Sequence, residues 1–211
     1  MKRVYINDLL NSPELLKMFC SDMKKGSICA IPTDTIYGFA VDAASEKAVK
    51  RVYEIKGRNE KKPLILFLAE IDQLSKLQIK IPGSFSEILD SKWPGALTAI
   101  LKKQHNIEQI SAFHYSTIGV RIPDHQNLLR ILSLYDGYFL TTSANRSEHQ
   151  PLTSADEIEK EFYSDIDWLI EDDASITGGP PSTIVDLSGV SFKLLRKGKL
   201  EIDENLTDKQ C

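Results

Sequence analysis

Apolar residues along this chain keep two different rhythms, and the two alternate. Leu15, Leu16, Phe19 and Met23 share one face of a helix that Ser12-Pro13-Glu14 opens and Gly26 closes. Ser45-Glu46 opens a second, with Ala48, Val49, Val52 and Ile55 apolar and Gly57 as the stop. Between and beyond them, short apolar runs predict strands: Ser27–Ile31, Phe39–Val41, Ala96–Leu101, Tyr138–Leu140 and Asp167–Ile170. Leu64–Leu68 is continuously apolar, as in a strand buried on both faces. Thr117–Pro123 alternates instead, with Thr117, Gly119 and Arg121 on one face and Ile118, Val120 and Ile122 on the other. The capping-box sequence Ser84-x-x-Glu87 predicts a short helix that reaches Trp93-Pro94-Gly95, and Ser154-x-x-Glu157 predicts another after Pro151. Asp124 is the expected cap of a helix carrying Leu128, Leu129, Ile131 and Leu132. Ser182–Asp186 and Phe192–Arg196 read as a closing pair of strands, connected to what precedes by the tight Thr177–Pro181 stretch. Gln104–Ser116 reads as an irregular polar loop and the last dozen residues as a fraying tail. The alternation implies an α/β fold: a single domain over residues 1–211, core about 12–200, with a twisted mixed parallel and antiparallel sheet flanked by helices.

Composition narrows the class. The chain has 211 residues, 27% charged and 42% hydrophobic, the balance of a soluble globular protein. No apolar run approaches the roughly 20 residues of a membrane span, so no membrane partner is expected. Val4-Tyr5-Ile6 after Met1-Lys2-Arg3 is too short for a signal peptide. Cys20, Cys29 and Cys211 are scattered, which points to a reducing compartment, the cytoplasm, and away from a disulfide framework or zinc site. His105 and His114 do not have metal-site spacing. A net charge of -4 argues against strong non-specific nucleic-acid binding. Neither G-x-x-x-x-G-K-[ST] nor G-x-G-x-x-G occurs, nor G-x-S-x-G or H-E-x-x-H. A nucleotide, if bound, must be held by scattered cations and hydroxyls.

Four polar stretches could do this. Pro32–Gly38 is a loop between two buried strands, fixed at both ends; an ordinary turn in which Thr and Asp satisfy backbone groups is the alternative. Lys56, Arg58, Lys61 and Lys62 precede the Leu64–Leu68 strand and could face a polyphosphate, or could be a solvated run that suits a helix C-terminus. Arg121 could aim at a cleft or form a structural salt bridge. Thr141–Asn145, at a strand's C-terminal end, could bind phosphate and ribose or could simply turn the chain.

Pro32-Thr33-Asp34-Thr35-Ile36-Tyr37-Gly38 resembles the P-T-[DE]-T-x-Y-G signature of the YrdC-like family, the threonylcarbamoyl-AMP synthases of tRNA modification. Lys56-Gly57-Arg58 before Pro63-Leu64, Trp93-Pro94-Gly95, Thr117–Pro123, Ser143-Ala144-Asn145, Ser182-Thr183-Ile184 and Arg196 follow in family order, from about residue 25 to about residue 200. The resemblance implies a nucleotidyltransferase that forms L-threonylcarbamoyladenylate and pyrophosphate from L-threonine, bicarbonate and ATP, with Mg²⁺ accompanying the ATP. A separate transferase complex would then pass the group to adenosine 37 of tRNA, giving N6-threonylcarbamoyladenosine (t6A). Thr35, Arg121 and Ser182 would bind threonine, Arg121 through its carboxylate. Lys56, Arg58, Lys62, Thr117, Thr141, Ser143, Asn145 and Arg196 would bind ATP. Neither a covalent nucleophile nor a direct protein ligand to the metal is implied. Three positions depart from the family pattern: Phe67, often polar in relatives, Glu148, often Gly, and Lys197-Gly198, often Pro-Gly. Length fits the short, single-domain type. The competing readings are an RNA-binding module using a basic face, and an ATP-binding regulatory protein without turnover.

Overall fold

Ser12 accepts a hydrogen bond from the Leu15 amide at 3.2 Å, and Pro13 takes the first turn of the helix it opens. In the computed structural model, which describes residues 1–59, 62–105, 107–110, 113–172 and 179–202, two elements without a clear hydrophobic signature come first: β1 (Lys2–Tyr5) and α1 (Ile6–Asn11). The helix from Pro13 is α2 (Pro13–Lys24). There follow β2 (Cys29–Ile31), β3 (Gly38–Asp42), α3 (Glu46–Lys56), β4 (Ile65–Phe67), α4 (Gln73–Lys76), α5 (Ser86–Lys92), β5 (Leu97–Lys102) and β6 (Thr117–Arg121). The chain continues with α6 (Gln126–Leu134), β7 (Phe139–Ser143), α7 (Ala155–Phe162), β8 (Trp168–Glu171), β9 (Thr183–Asp186) and β10 (Lys193–Arg196). Lys61, Thr177, Gly178, Cys211 and residues 203–211 lie outside the described residues, as do parts of the 104–116 stretch.

Two caps differ from expectation. A 3-10 turn, Gly83–Phe85, precedes α5, and Phe85 stands at its N-cap without a side-chain bond, so the Ser84 capping box does not form there. The cap of α6 is His125 rather than Asp124: its Nδ1 accepts from the Leu128 amide at 3.2 Å, while Nε2 faces Asp172 Oδ2 at 2.9 Å. Asp172 fixes the imidazole in the capping position, and Asp124 lies one residue too early. The Ser154/Glu157 capping box of α7 forms as the sequence predicts.

The strands join one sheet in the order β1-β8-β2-β3-β7-β4-β6-β5-β9-β10. Parallel pairs (β1/β8, β8/β2, β4/β6, β5/β9) are mixed with antiparallel ones. Alternation sorts the strand residues onto two faces. Phe39, Val41, Leu66, Leu97, Ala99, Ile118, Val120, Leu140 and Val185 pack on one face with Ala48 and Val52 of α3, Leu89 of α5 and Ile158 and Phe162 of α7. On the other face, Trp168, Ile170, Ala40, Phe67 and Phe139 pack with Ile6 and Leu9 of α1, Phe19 and Met23 of α2 and Leu128 and Ile131 of α6. That second apolar layer leaves Thr98, Ile100, Thr117, Gly119, Thr141 and Ser143, which face the same way, to line a cavity.

Candidate functional site

The cavity, about 560 Å³, is built on the open half of the sheet. Its floor is β4, β6, β5 and β9, with Gly119 keeping a low point between Thr98 and Ile65. The Pro32–Gly38 loop closes one side, the β7 end with Ser143 and Asn145 a second, and Pro181, Ser182, Leu195 and Arg196 a third. Thr35, Arg58, Lys62, Thr117, Arg121, Thr141, Ser143, Asn145, Ser182 and Arg196 all line it. Of the substrate-site residues the sequence nominated that the structure describes, Lys56 alone does not.

Lys56 ends α3 on its buried side, and Gly57, left-handed at φ 56°, reverses the chain so that Arg58 points to the cavity instead. The Lys56 ammonium is 2% exposed and donates to the carbonyls of Ser143 and Asn145, the latter at 2.6 Å, and to Asn145 Oδ1 at 3.0 Å. Burial, then the Arg58 charge, pulls it down to about 7. Its three donors are thus used on the turn behind the cavity, so Lys56 shapes that turn rather than facing the ligand space. Asn145 is correspondingly fixed: Oδ1 also accepts from Ser143 Oγ at 2.6 Å, and Nδ2 donates to the His149 carbonyl.

Arg58 wraps the following turn, donating to the carbonyls of Lys62 and Pro63 and to Thr142 Oγ1. Arg196 reaches back to Ser182, donating to its carbonyl at 2.8 Å and to Oγ at 3.3 Å. Ser182 Oγ in turn bonds Thr98 Oγ1 at 2.8 Å. Arg121 is the deepest cation. Nε donates to the Gly95 carbonyl and Nη1 to Thr35 Oγ1, both at 3.0 Å, and Nη2 pairs with Asp34 Oδ1 at 2.7 Å. Both sequence alternatives for Arg121 are therefore combined: it lines the cleft and makes a salt bridge. Phe67 lies in the cavity wall beneath it, 5.9 Å from ring centroid to guanidinium carbon.

Electrostatically the site is one-sided. Among the described residues Arg58, Lys62, Arg121 and Arg196 line it, and no Asp or Glu does. Burial pushes Arg58 and Arg196 down from the usual arginine value, and Arg196 is lowered further by Arg121 and Arg58. Arg196, repelled by both Arg121 and Arg58, would be favoured by an anion placed beside it. Thr33 and Thr142, inside the Pro32–Gly38 and Thr141–Asn145 stretches, also line the space; sequence reasoning missed Thr98 and His149. Thr98 had a signal, a hydroxyl inside the Ala96–Leu101 run. Among the described residues no cluster of His, Cys, Asp and Glu could hold a metal, and no helix is long and apolar enough to cross a membrane.

A mixed α/β sheet with half of one face open, lined by cations and hydroxyls, has the chemistry that suits a polyanionic small molecule. The chain belongs to the Sua5/YciO/YrdC family: that family's sequence model, described as "Telomere recombination", matches residues 21–198. A Pyrococcus abyssi protein named threonylcarbamoyl-AMP synthase is 35% identical over 182 residues, covering 86% of this chain and 53% of its own. A Methanocaldococcus jannaschii relative is 35% identical over 191 residues, 90% of this chain and 89% of its own. The crystal structure of P. abyssi Sua5 complexed with L-threonine matches with a TM-score of 0.82 at 31% identity, over 94% of this chain and 59% of the other. This chain thus spans about half the length of the P. abyssi synthase.

Proposed function

We propose that this chain is a threonylcarbamoyl-AMP synthase, which condenses L-threonine, bicarbonate and ATP to L-threonylcarbamoyladenylate, pyrophosphate and water. The observation that carries the reading is one cavity lined by four cations and a set of hydroxyls, with no Asp or Glu among the described lining residues. The names of the relatives agree with it. Arg58, Lys62 and Arg196 would meet the triphosphate, with Thr117, Thr141 and Ser143 offering hydroxyls to phosphate and ribose. Arg121 would take the threonine carboxylate beside Thr35 and Ser182. Because no carboxylate lines the cavity among the described residues, Mg²⁺ would enter as part of the MgATP substrate, held by phosphate oxygens.

Chemically, the threonine nitrogen attacks the carbon of bicarbonate, hydroxide is lost as water, and a carbamate forms. A carbamate oxygen then attacks the α-phosphorus in line, and the α–β bridging oxygen leaves with pyrophosphate. No side chain need form a covalent bond. The chain contributes by placing two anions against each other despite their repulsion, by neutralising the departing charge, and by keeping water from the carbamate. Burial favours a small ligand over RNA, because Arg121 is only 4% exposed and a duplex or strand backbone cannot follow it inward. A mixed anhydride hydrolyses readily, so the product would be handed to a tRNA-modifying transferase in the cytoplasm.

The deciding experiment is pyrophosphate release by the purified chain with MgATP, omitting threonine and bicarbonate in turn. Release that needs both is the expected result. ATP binding with no release under any condition would reject synthase activity in favour of a non-catalytic nucleotide-binding role.

A further inference from the structure

The four cations of the cavity are not equivalent. Arg58 and Arg196 donate to neutral oxygens, those of Lys62, Pro63 and Thr142 and those of Ser182. Among the ion pairs of the described residues none involves Lys62. Among the described residues, Arg121 alone of the four has a carboxylate, Asp34, at 2.7 Å, with the two side chains 5% and 10% exposed. We propose that Asp34 is the specificity-determining residue of the cavity: by neutralising Arg121 alone, it reserves the deep end for a zwitterionic amino acid and turns phosphate away. This rests on the synthase reading.

The geometry supports the division in three ways. First, Asp34, Thr35 and Gly95 occupy one N–H on each Arg121 nitrogen. Of the five N–H groups of a guanidinium, two remain, one on each terminal nitrogen, enough for a single carboxylate. Second, Asp34 is held in place. Its carbonyl accepts from Lys199 Nζ at 2.6 Å, and the loop around it is pinned by Thr33 Oγ1, which accepts from the amides of Thr35 and Ile36 and donates to the Ile36 carbonyl. Third, a fixed carboxylate beside a buried site repels a phosphate dianion about twice as strongly as a carboxylate, and it attracts an ammonium group. The cations at the outer wall, which have no carboxylate partner among the described residues, carry no such penalty for polyphosphate. Without this asymmetry, ATP or the pyrophosphate product could occupy the amino-acid end and block it.

The test is calorimetric titration of the full chain with L-threonine, alone and with inorganic phosphate or pyrophosphate as competitor, on wild type, Asp34→Asn and Asp34→Glu. Asn keeps an oxygen for Arg121 Nη2 but removes the charge. Asp34→Asn is expected to weaken threonine about tenfold and to let phosphate compete about tenfold better. Asp34→Glu, which keeps the charge, should still reject phosphate whatever it does to threonine affinity. Unchanged affinity and unchanged competition in Asp34→Asn would overturn the proposal. So would a general tightening of every anion, threonine included, which would mark Asp34 as a background charge. If Asp34→Asn does not fold by thermal melt, Asp34→Glu decides, since phosphate competition there would also overturn it. A wild-type chain that binds no threonine overturns both this proposal and the functional reading; a wild type that binds threonine with an indifferent Asp34 overturns this one alone.

Discussion

Lys56 serves the anion cavity without touching it. Its ammonium ties the Ser143–Asn145 turn from behind, and the same burial that makes this possible pulls it down to about 7. The pH dependence follows in sign. Below about 7 the folded and unfolded chains both carry the charge, and Lys56 gives no slope. Above about 7 the folded chain releases this proton first, while the unfolded lysine keeps it to about 10.4. The unfolded state then binds more protons, so stability rises with pH by up to about 1.4 kcal/mol per unit. Denaturant unfolding from pH 6 to 9 should show this rise in wild type and not in Lys56→Met. A parallel slope in both proteins would mean that another group is responsible. Function should run the opposite way. A neutral amine has two N–H groups for three oxygens, so the turn loosens above pH 7 and the KM for ATP climbs. The helical period carried a signal for this placement: Ala48, Val52 and Lys56 repeat every fourth residue, on the buried face of α3.

Two glycines set the elements around the site, for different reasons. At Gly57 the backbone is left-handed and an added Cβ would meet nothing within 4 Å, so Gly57→Ala should cost about 1 kcal/mol of conformational strain. At Gly198 the obstacle is steric. A Cβ there would lie 2.2 Å from the Pro181 carbonyl oxygen, against which the chain runs after β10. That segment is stitched to β9 by the Gly198 amide to Thr183 Oγ1, Thr183 Oγ1 to the Leu200 carbonyl and the Lys199 amide to the Pro181 carbonyl. Gly198→Ala should therefore destabilise by about 1–3 kcal/mol and raise the KM for ATP through Arg196, whereas Gly57→Ala should stay near the lower figure. Equal losses in the two melts would reject the steric account. Much at this scale was legible in the chain, because β6 and α7 announce themselves by period and by capping box. β1 was not: three of its four residues are exposed, and among the described residues it pairs with β8 alone, so no alternation marks it. α1 has six residues and no side-chain cap. The α6 cap was hidden because the carboxylate that orients His125 comes from Asp172, forty-seven residues on, which no local pattern reports.

Over the whole molecule, one layer of helices covers half of a sheet face and leaves the other half as the cavity, so the covered half must stay rigid for the open half to keep its shape. β1 and α1 belong to that covered half. Ile6 and Leu9 are fully buried against α6 and the strands beneath, and β1 shields the edge of β8. Removing residues 1–11 should cost about 3–6 kcal/mol from those two side chains alone, at about 1.5–3 kcal/mol each. Against a total stability of about 5–15 kcal/mol this is a large fraction. For a chain of this size it corresponds to a fall in Tm on the order of 10–20 °C. The described cavity lining runs from Thr33, in the loop between β2 and β3, to Arg196 of β10, none of it in the removed segment. On the proposed function, and well below the new Tm, the truncated chain should therefore bind threonine and ATP as the untruncated chain does while its melting transition moves down. A Tm within about 2 °C of wild type would show that the second apolar layer stands without α1. A normal Tm shift with a selective loss of threonine affinity would instead show that α1, through its contacts with α6, helps hold the cavity wall at Phe67 and Arg121.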